Sequence, residues 1–283
     1  MAATAKLSIE HVSKEFSGRN GRVLALDDVD LRICDGDFLV IVGPSGCGKS
    51  TLLELLSGLS APTSGRLLLD GKPITGPGAD RGIVFQQYAL LPWRTAQKNV
   101  ELALEVSKMN SRQRSDRARE YLSLVGLEGF EDAYPHQLSG GMKQRAAIAR
   151  SLASDPGLLI MDEPFGALDA LTRDSLQTQL ARIWERTGKT LVFVTHSIDE
   201  AVYLGQRVAV MSARPGRIKS VIDIPLDSGA LPVAEARANP EFGHYTHVLW
   251  ELLRDEIAAG APVPLPDRHI RADKTAEEVH QVA

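Results

Sequence analysis

"GPSGCGKST" (residues 43–51) puts glycines at 43, 46 and 48 and follows them at once with Lys49, Ser50 and Thr51. Gly43, four residues, Gly48, Lys49 and Ser50 is the spacing of a phosphate-binding loop. The residue types have a physical reason. Backbone N–H groups must wrap a phosphate chain, so glycines remove the Cβ atoms that would block approach. The segment Gly43, Pro44, Ser45, Gly46, Cys47, Gly48 is therefore expected to form the cradle. The helix entered at Lys49 adds its positive N-terminal end. Lys49 supplies a point charge to the terminal phosphates, and the Ser50 hydroxyl is placed to ligate Mg²⁺. The context agrees: the apolar run "FLVIVG" (38–43) precedes the loop and a helical pattern over 49–58 comes after it.

Working outward, "LLIMDEP" (158–164) ends another apolar run in two acids. Asp162 sits where the ligands of parallel sheets bind and is expected to hold the Mg²⁺ shell. Glu163 follows it and is the candidate base for an attacking water. His196 closes the run "TLVFVT" (190–195) and is read as a donor to the terminal phosphate. After "GIVF" (82–85) stand Gln86 and Gln87, either of which is placed by position to reach Mg²⁺ or the water.

These runs, with "RVAVM" (207–211), are short and continuously apolar, which suits strands covered on both faces of a parallel sheet. Helical patterns over 140–154 and 168–187 fall between them. The order argues for a doubly wound α/β core. Residues 7–12 and 23–33 alternate instead and read as half-exposed antiparallel strands. No strand pattern occurs over 95–155, where an all-helical insert is expected. A helix is expected over 238–260 after a Pro-marked start, and a mobile end after it, where three prolines and many charges leave little to bury.

Bulk properties narrow the class. The apolar fraction of 43% is that of a water-exposed globular chain. Net charge is −4; residues 225–283 hold ten acids against five bases, so the remainder is close to neutral, at +1. Nothing resembles the basic footprint of a nucleic-acid binder. No apolar run approaches the length of a membrane span, and the start shows no secretory pattern. Cys34 and Cys47 have no metal-ligand spacing, and a reducing compartment is expected.

"HQLSGGMKQR" (136–145) is a second phosphate-suited helix start, with Ser139, Gly140 and Gly141 offering N–H groups. One chain with two such grips is explained if the second serves a phosphate held by another copy. With this stretch the whole set resembles the ATP-binding subunit of an ABC transporter over about residues 5–225. The elements come in that family's order: "VSKEF", the phosphate loop, a glutamine, "LSGGM", "LLIMDEP", "ALD" and "VTHS". The resemblance implies a P-loop NTPase core of ABC type, an antiparallel β subdomain, a helical subdomain at about 88–157, and a short C-terminal helix and tail over 226–283. It implies Phe16 stacking on adenine, Thr51 beside the phosphate loop, Gln86 at the lid position, and Ser139 and Gly141 on the partner's ATP. Asp169 would link the two sites across a dimer. The residue after "LSGG" is Met142 where the family usually has Gln.

Three facts set the subclass. Gln86 and Leu138 lie 52 positions apart, which leaves no room for long coiled-coil arms. One cassette is present, and no span is fused to it. An importer ATPase is expected, peripheral on the cytoplasmic face of the inner membrane. Its partners would be a second copy, integral permease subunits and, indirectly, a solute-binding protein, but no nucleic acid. "GPGADRGIVFQ", "LLPWRT", "DEPFGALDALTR" and "MSARPGRI" are similar to the nitrate, sulfonate and taurine branch. Sulfonate or taurine is the first choice of solute and nitrate the second. The alternative is an ATP-switched protein of the same family acting on a non-transport partner. The segment "YALLPWRT" (88–95) joins sheet to helical insert and is the expected docking surface, centred on Trp93.

Overall fold

The computed structural model describes residues 5–18, 21–226 and 231–260. The chain opens with two long strands, β1 (Ala5–Gly18) and β2 (Gly21–Cys34), paired antiparallel. Leu7, Ile9 and Val12 of β1 are fully buried. The step from odd to even numbers is made by a bulge, with His11 at φ 50°, which keeps the apolar side chains on one face. After β3 (Phe38–Val42) and α1 (Lys49–Ser57) come β4 (Ser64–Leu69) and β5 (Lys72–Pro73), which complete a four-stranded sheet in the order β2-β1-β4-β5.

The second sheet uses β3, β6 (Arg81–Val84), β7 (Leu158–Asp162), β8 (Thr190–Val194), β9 (Arg207–Met211) and β10 (Ile218–Asp223), in the order β10-β9-β3-β8-β7-β6. All neighbours are parallel except β10, an antiparallel edge on β9. Every side chain of β3 and β8 is buried. The strand period of two divides them between two cores. Leu39, Ile41, Val192 and Val194 face a core built with α1 and the first sheet, through Leu52, Leu55, Leu7 and Leu26. Phe38, Val40 and Phe193 face the other core, which the remaining helices cover.

Between β6 and β7 there are only helices: α2 (Ala96–Ala103), α3 (Ser111–Leu124), a 3₁₀ turn (Pro135–Gln137) and α4 (Gly140–Ala153). Asn110 and Gln113 form a capping box at the start of α3. Ser151 Oγ donates to Ile83 O at 2.7 Å and ties α4 to β6. After β7 come α5 (Ala170–Thr187), α6 (Ile198–Leu204), α7 (Val233–Arg237) and α8 (Pro240–Gly260). Phe242, Leu249 and Leu253 of α8 join the same core as Phe38. The expected mobile end, 261–283, lies outside the described residues. Cys34 and Cys47 are free thiols. Among the described residues no helix is long and apolar enough to cross a membrane.

The topology places the site. β3, β8, β7 and β6 are adjacent and parallel, so their C-terminal ends share one edge of the sheet. The loop at Gly43, His196, the Asp162–Glu163 pair and Gln86 stand at the ends of these four strands. A crevice along that edge is where such sheets bind ligands.

Candidate nucleotide site

The phosphate loop needs its glycines. A Cβ at Gly43 would lie 2.9 Å from Cys47 Sγ and 3.0 Å from Met211 Cβ. Gly46 and Gly48 stand at φ 77° and 106°, conformations that only glycine enters at no cost. Gly48 is the N-cap of α1, and no side chain caps the helix there, so its N–H groups keep their capacity for a ligand. Lys49 is only 8% exposed, and its Nζ donates to Gly43 O at 2.7 Å and Pro44 O at 3.0 Å. The cation is thereby fixed inside the loop. Cys47 is buried beneath it, and that burial pushes its thiol up.

An open cleft lies over the loop. It is bordered by Ser45, Gly46, Lys49, Ser50 and Thr51 of the loop and α1, by Phe16 and Ala25 of the first sheet, and by Glu163 and Arg214. Phe16 is 41% exposed and so is no core residue. Its strand register pairs it with Val23, and Lys14 Nζ stands 5.1 Å from its ring centre.

Asp162 ends β7 half-buried. Burial first, and the Glu163 carboxylate second, hold it above the usual carboxylate range, while Lys49 pulls the other way. Glu163 sits at φ 42°, a strained conformation for a residue with a Cβ. Its N–H donates to Val194 O at 2.9 Å, and its carbonyl accepts from Gly166 N–H at 3.1 Å. The strain turns its side chain to His196, whose Nδ1 is 3.2 Å from Glu163 Oε2. Gln86 joins them: a Cβ on Gly166 would meet Gln86 Nε2 at 3.8 Å and Glu163 Oε2 at 3.9 Å.

Among the described residues no three His, Cys, Asp or Glu side chains converge as a metal cage. The donor set nevertheless fits Mg²⁺, which is commonly held by one or two carboxylates, water and substrate phosphates. Ser50 and Asp162 would provide this, with the Gln86 amide as a further oxygen donor at the neighbouring strand end. Two adjacent carboxylates, one of them disfavoured by burial, form a place that a divalent cation would relieve.

The second phosphate grip borders a separate cleft, which shares no residue with the first. Ser139 caps α4, its Oγ accepting from Met142 N–H at 3.3 Å. Gly140 and Gly141 are glycines by packing. A Cβ on the first would meet Tyr88 Oη at 3.2 Å, and on the second Thr172 Cγ2 at 2.6 Å. This helix start therefore touches the segment after Gln86 and the segment after Glu163. Asp169 caps α5, its Oδ1 accepting from Thr172 N–H at 3.0 Å, and that bond holds its carboxyl below the ordinary value.

Sequence reasoning missed three features. Thr195 Oγ1 donates to Glu200 Oε2 at 2.5 Å, and Gln177 Nε2 to Glu200 Oε1 at 3.1 Å. This buried trio fixes the strand end that carries His196. Arg173 donates to Leu168 O at 2.9 Å and holds the segment between Glu163 and α5. Arg214 enters the phosphate cleft from the loop after β9, three residues beyond the end of that apolar run.

The model of the ABC transporter family matches residues 26–166. An uncharacterized ABC transporter ATP-binding protein of Methanocaldococcus jannaschii is 52% identical over 252 residues, 89% of this chain and 92% of that one. A nitrate import ATP-binding protein of Synechocystis is 46% identical, and a taurine import ATP-binding protein of Rhizobium johnstonii 47%. These two matches span 88% and 89% of this chain and 95% of each relative. A solved dimeric ATP-binding cassette in a post-hydrolysis state with ADP and Pi superposes with a TM-score of 0.68 at 36% identity, over 78% of this chain and 99% of that one. Relatives this similar along nearly the whole chain, on a fold whose sheet edge carries a phosphate loop and its acids, place the protein in the ABC transporter family, among its ATP-hydrolysing ATP-binding subunits.

Proposed function

We propose that the chain powers an importer of a small anionic solute, working as a pair of copies docked on separate membrane permease subunits. One observation carries the pairing: lysine, Glu163 and aromatic ring border one cleft, while the second phosphate grip at Ser139 borders a separate cleft that shares no residue with it. A triphosphate held in the cleft of one copy would meet Ser139, Gly140 and Gly141 of the other.

In this reading Phe16 stacks on adenine, and the loop N–H groups with Lys49 and Thr51 hold the phosphates. Ser50, Asp162 and Gln86 hold Mg²⁺, which when bound offsets phosphate charge. Glu163 accepts a proton from water as the water oxygen bonds to the γ-phosphorus. The bond from that phosphorus to the bridging oxygen breaks, and ADP keeps the electron pair. His196, already beside Glu163, turns a donor to the γ-phosphate. Closing the pair completes the clamp, and phosphate loss reopens it, so ATP drives motion through differential binding of two states.

The docking surface is the segment after Gln86. Asn99, fully buried, grips it from both ends of its amide: the two Nδ2 hydrogens are shared among Leu91 O, Arg94 O and Thr95 O, and Oδ1 accepts from Leu91 N–H. Arg150 donates to Tyr88 O at 3.1 Å. Held this way, Trp93 stands 71% exposed. We expect Trp93→Glu to abolish uptake and leave ATP affinity intact; unchanged uptake would sink this assignment. The permease places the subunit on the cytoplasmic face of the membrane, where a solute-binding protein acts on the other side. The import names of the relatives include both nitrate and taurine; on the sequence, sulfonate or taurine comes first and nitrate second, and direct uptake assays choose between them.

The test of the pair is light scattering on Glu163→Gln with Mg-free ATP. A shift from one copy to two is expected. A single copy that binds ATP and never pairs would overturn the self-sufficient dimer.

A further inference from the structure

Arg214 has no assigned role. It stands in the loop between β9 and β10, and this loop is pinned on three sides. Gly216 N–H donates to Ala25 O at 2.9 Å, and Asp27 N–H donates to Gly216 O at 3.0 Å, which fixes the loop to β2. Ser212 closes it as a hairpin: its N–H donates to Arg217 O at 2.9 Å and its Oγ accepts from Arg217 N–H at 3.0 Å. The third anchor comes from α8. Ala213 N–H, next to Arg214, donates to Glu256 Oε2 at 2.8 Å, and Glu256 Oε1 is paired with Lys219 at 2.9 Å. The loop presses on the phosphate cradle so closely that a Cβ on Gly216 would sit 2.1 Å from Cys47 O.

The two arginines of this loop differ. Arg217 pairs with Asp27. Arg214 has no carboxylate partner among the described residues and borders the cleft. An uncompensated guanidinium over a loop built to hold phosphate calls for an anion. Its position along the cleft is also defined. The loop is bonded to Ala25, which lines the cleft, and β2 runs two residues from there to Val23, the partner of Phe16. Lys49, with its bonds to Gly43 and Pro44, lies toward Asp162 at the other end. The loop that carries Arg214 is thus bonded to β2 two residues from the partner of Phe16, and Arg214 borders the cleft that the ring and the lysine share.

We propose that Arg214 binds the nucleotide at the phosphate nearest the nucleoside, and that α8 positions it through Glu256. The proposal rests on the reading of this cleft as an ATP site. It makes the C-terminal helix part of the nucleotide site, since the loop that delivers the guanidinium is held by a carboxylate of that helix.

Calorimetric titration of the full chain with ADP and with ATP tests it. Arg214→Ala is expected to weaken both equally, by about three- to tenfold, a charge-assisted bond discounted for solvent. Arg214→Lys should recover part of the loss. The melting temperature without nucleotide should not move, because the side chain is exposed. Unchanged ADP affinity would overturn the proposal, and a loss confined to ATP would overturn its placement at the nucleoside end. Failure of the unaltered chain to bind either nucleotide would instead overturn the ATP reading. For the helix, Glu256→Ala should weaken ADP binding about two- to threefold and add nothing in the Arg214→Ala background. Glu256→Gln keeps an acceptor and should restore binding. A full additive loss in the double variant would overturn the role of α8.

Discussion

Two helices of this chain begin at glycines, and they are equipped differently. α1 starts on Gly48 with no side-chain cap, a buried lysine in its first turn, and Asp162 and Glu163 at the neighbouring strand end. α4 starts on Ser139, whose own hydroxyl already takes one N–H. The cleft at this start is bordered by Arg145, Leu171, Thr172 and Ser175, and among the described residues no lysine or carboxylate lines it. The first start holds the charge and the acids needed to bind and cut a polyphosphate. The second has a positive helix end, one arginine and an open face. It can add to a phosphate brought to it, and cannot replace the first.

That contrast is broken most severely at Lys49. On the proposed reading, Lys49→Ala should lower ATP affinity by about a hundredfold or more and remove hydrolysis with it. Titration and phosphate release measure the two losses. Retention of normal affinity would mean that loop N–H groups alone hold the nucleotide. Gly141→Ala probes the other helix start. The new Cβ would lie 2.6 Å from Thr172 Cγ2, so α4 and α5 must part. Turnover should fall about tenfold, because the trans grip is displaced, while single-copy ATP affinity is kept. Thr172→Ser removes that methyl group and should return part of the turnover. A matching loss of affinity would make the second grip part of the first site.

Legibility tracks burial. β3, β7, β8 and β9 are covered on both faces, so their sequences are unbroken apolar runs, and the polar residues at the end of each run are candidates for the site. Asp162, Glu163 and His196 are legible by that rule, and Gln86 by the shorter run of β6, where only alternate residues are buried; the structure sets His196 3.2 Å from Glu163 and puts Gln86 and Glu163 beside the same glycine, Gly166. Extended past the end of β9, the same rule reaches Arg214. β10 escapes it because an edge strand with alternating exposure imposes no run, β4 because pairing with β1 defines it, and β5 because pairing with β4 does. The Thr195–Glu200–Gln177 trio is not legible at all. It depends on Ser197 capping α6 and turning Glu200 back beneath the strand end.

The smallest effect concerns the acid beside the lysine. Asp162 is held above the usual carboxylate range by burial and by Glu163. At strongly acid pH both folded and unfolded chains are protonated there, and the group costs nothing. As pH rises through the usual carboxylate range the unfolded chain ionises first, so folding loses stability. That cost is fully present once pH has passed the raised folded value. Asp162→Asn removes the charge and should raise the melting temperature of the nucleotide-free protein at neutral pH, by a few degrees at most, with the gain fading toward acid. The same change should remove the extra stabilisation that Mg²⁺ adds to ATP binding, since it takes away the carboxylate charge that draws the cation. Thermal melts with and without Mg-ATP separate these signs. A variant less stable in both conditions would make Asp162 a structural strand end; a variant more stable alone and deaf to Mg²⁺ shows a carboxylate kept, against the stability of the fold, for its ligand.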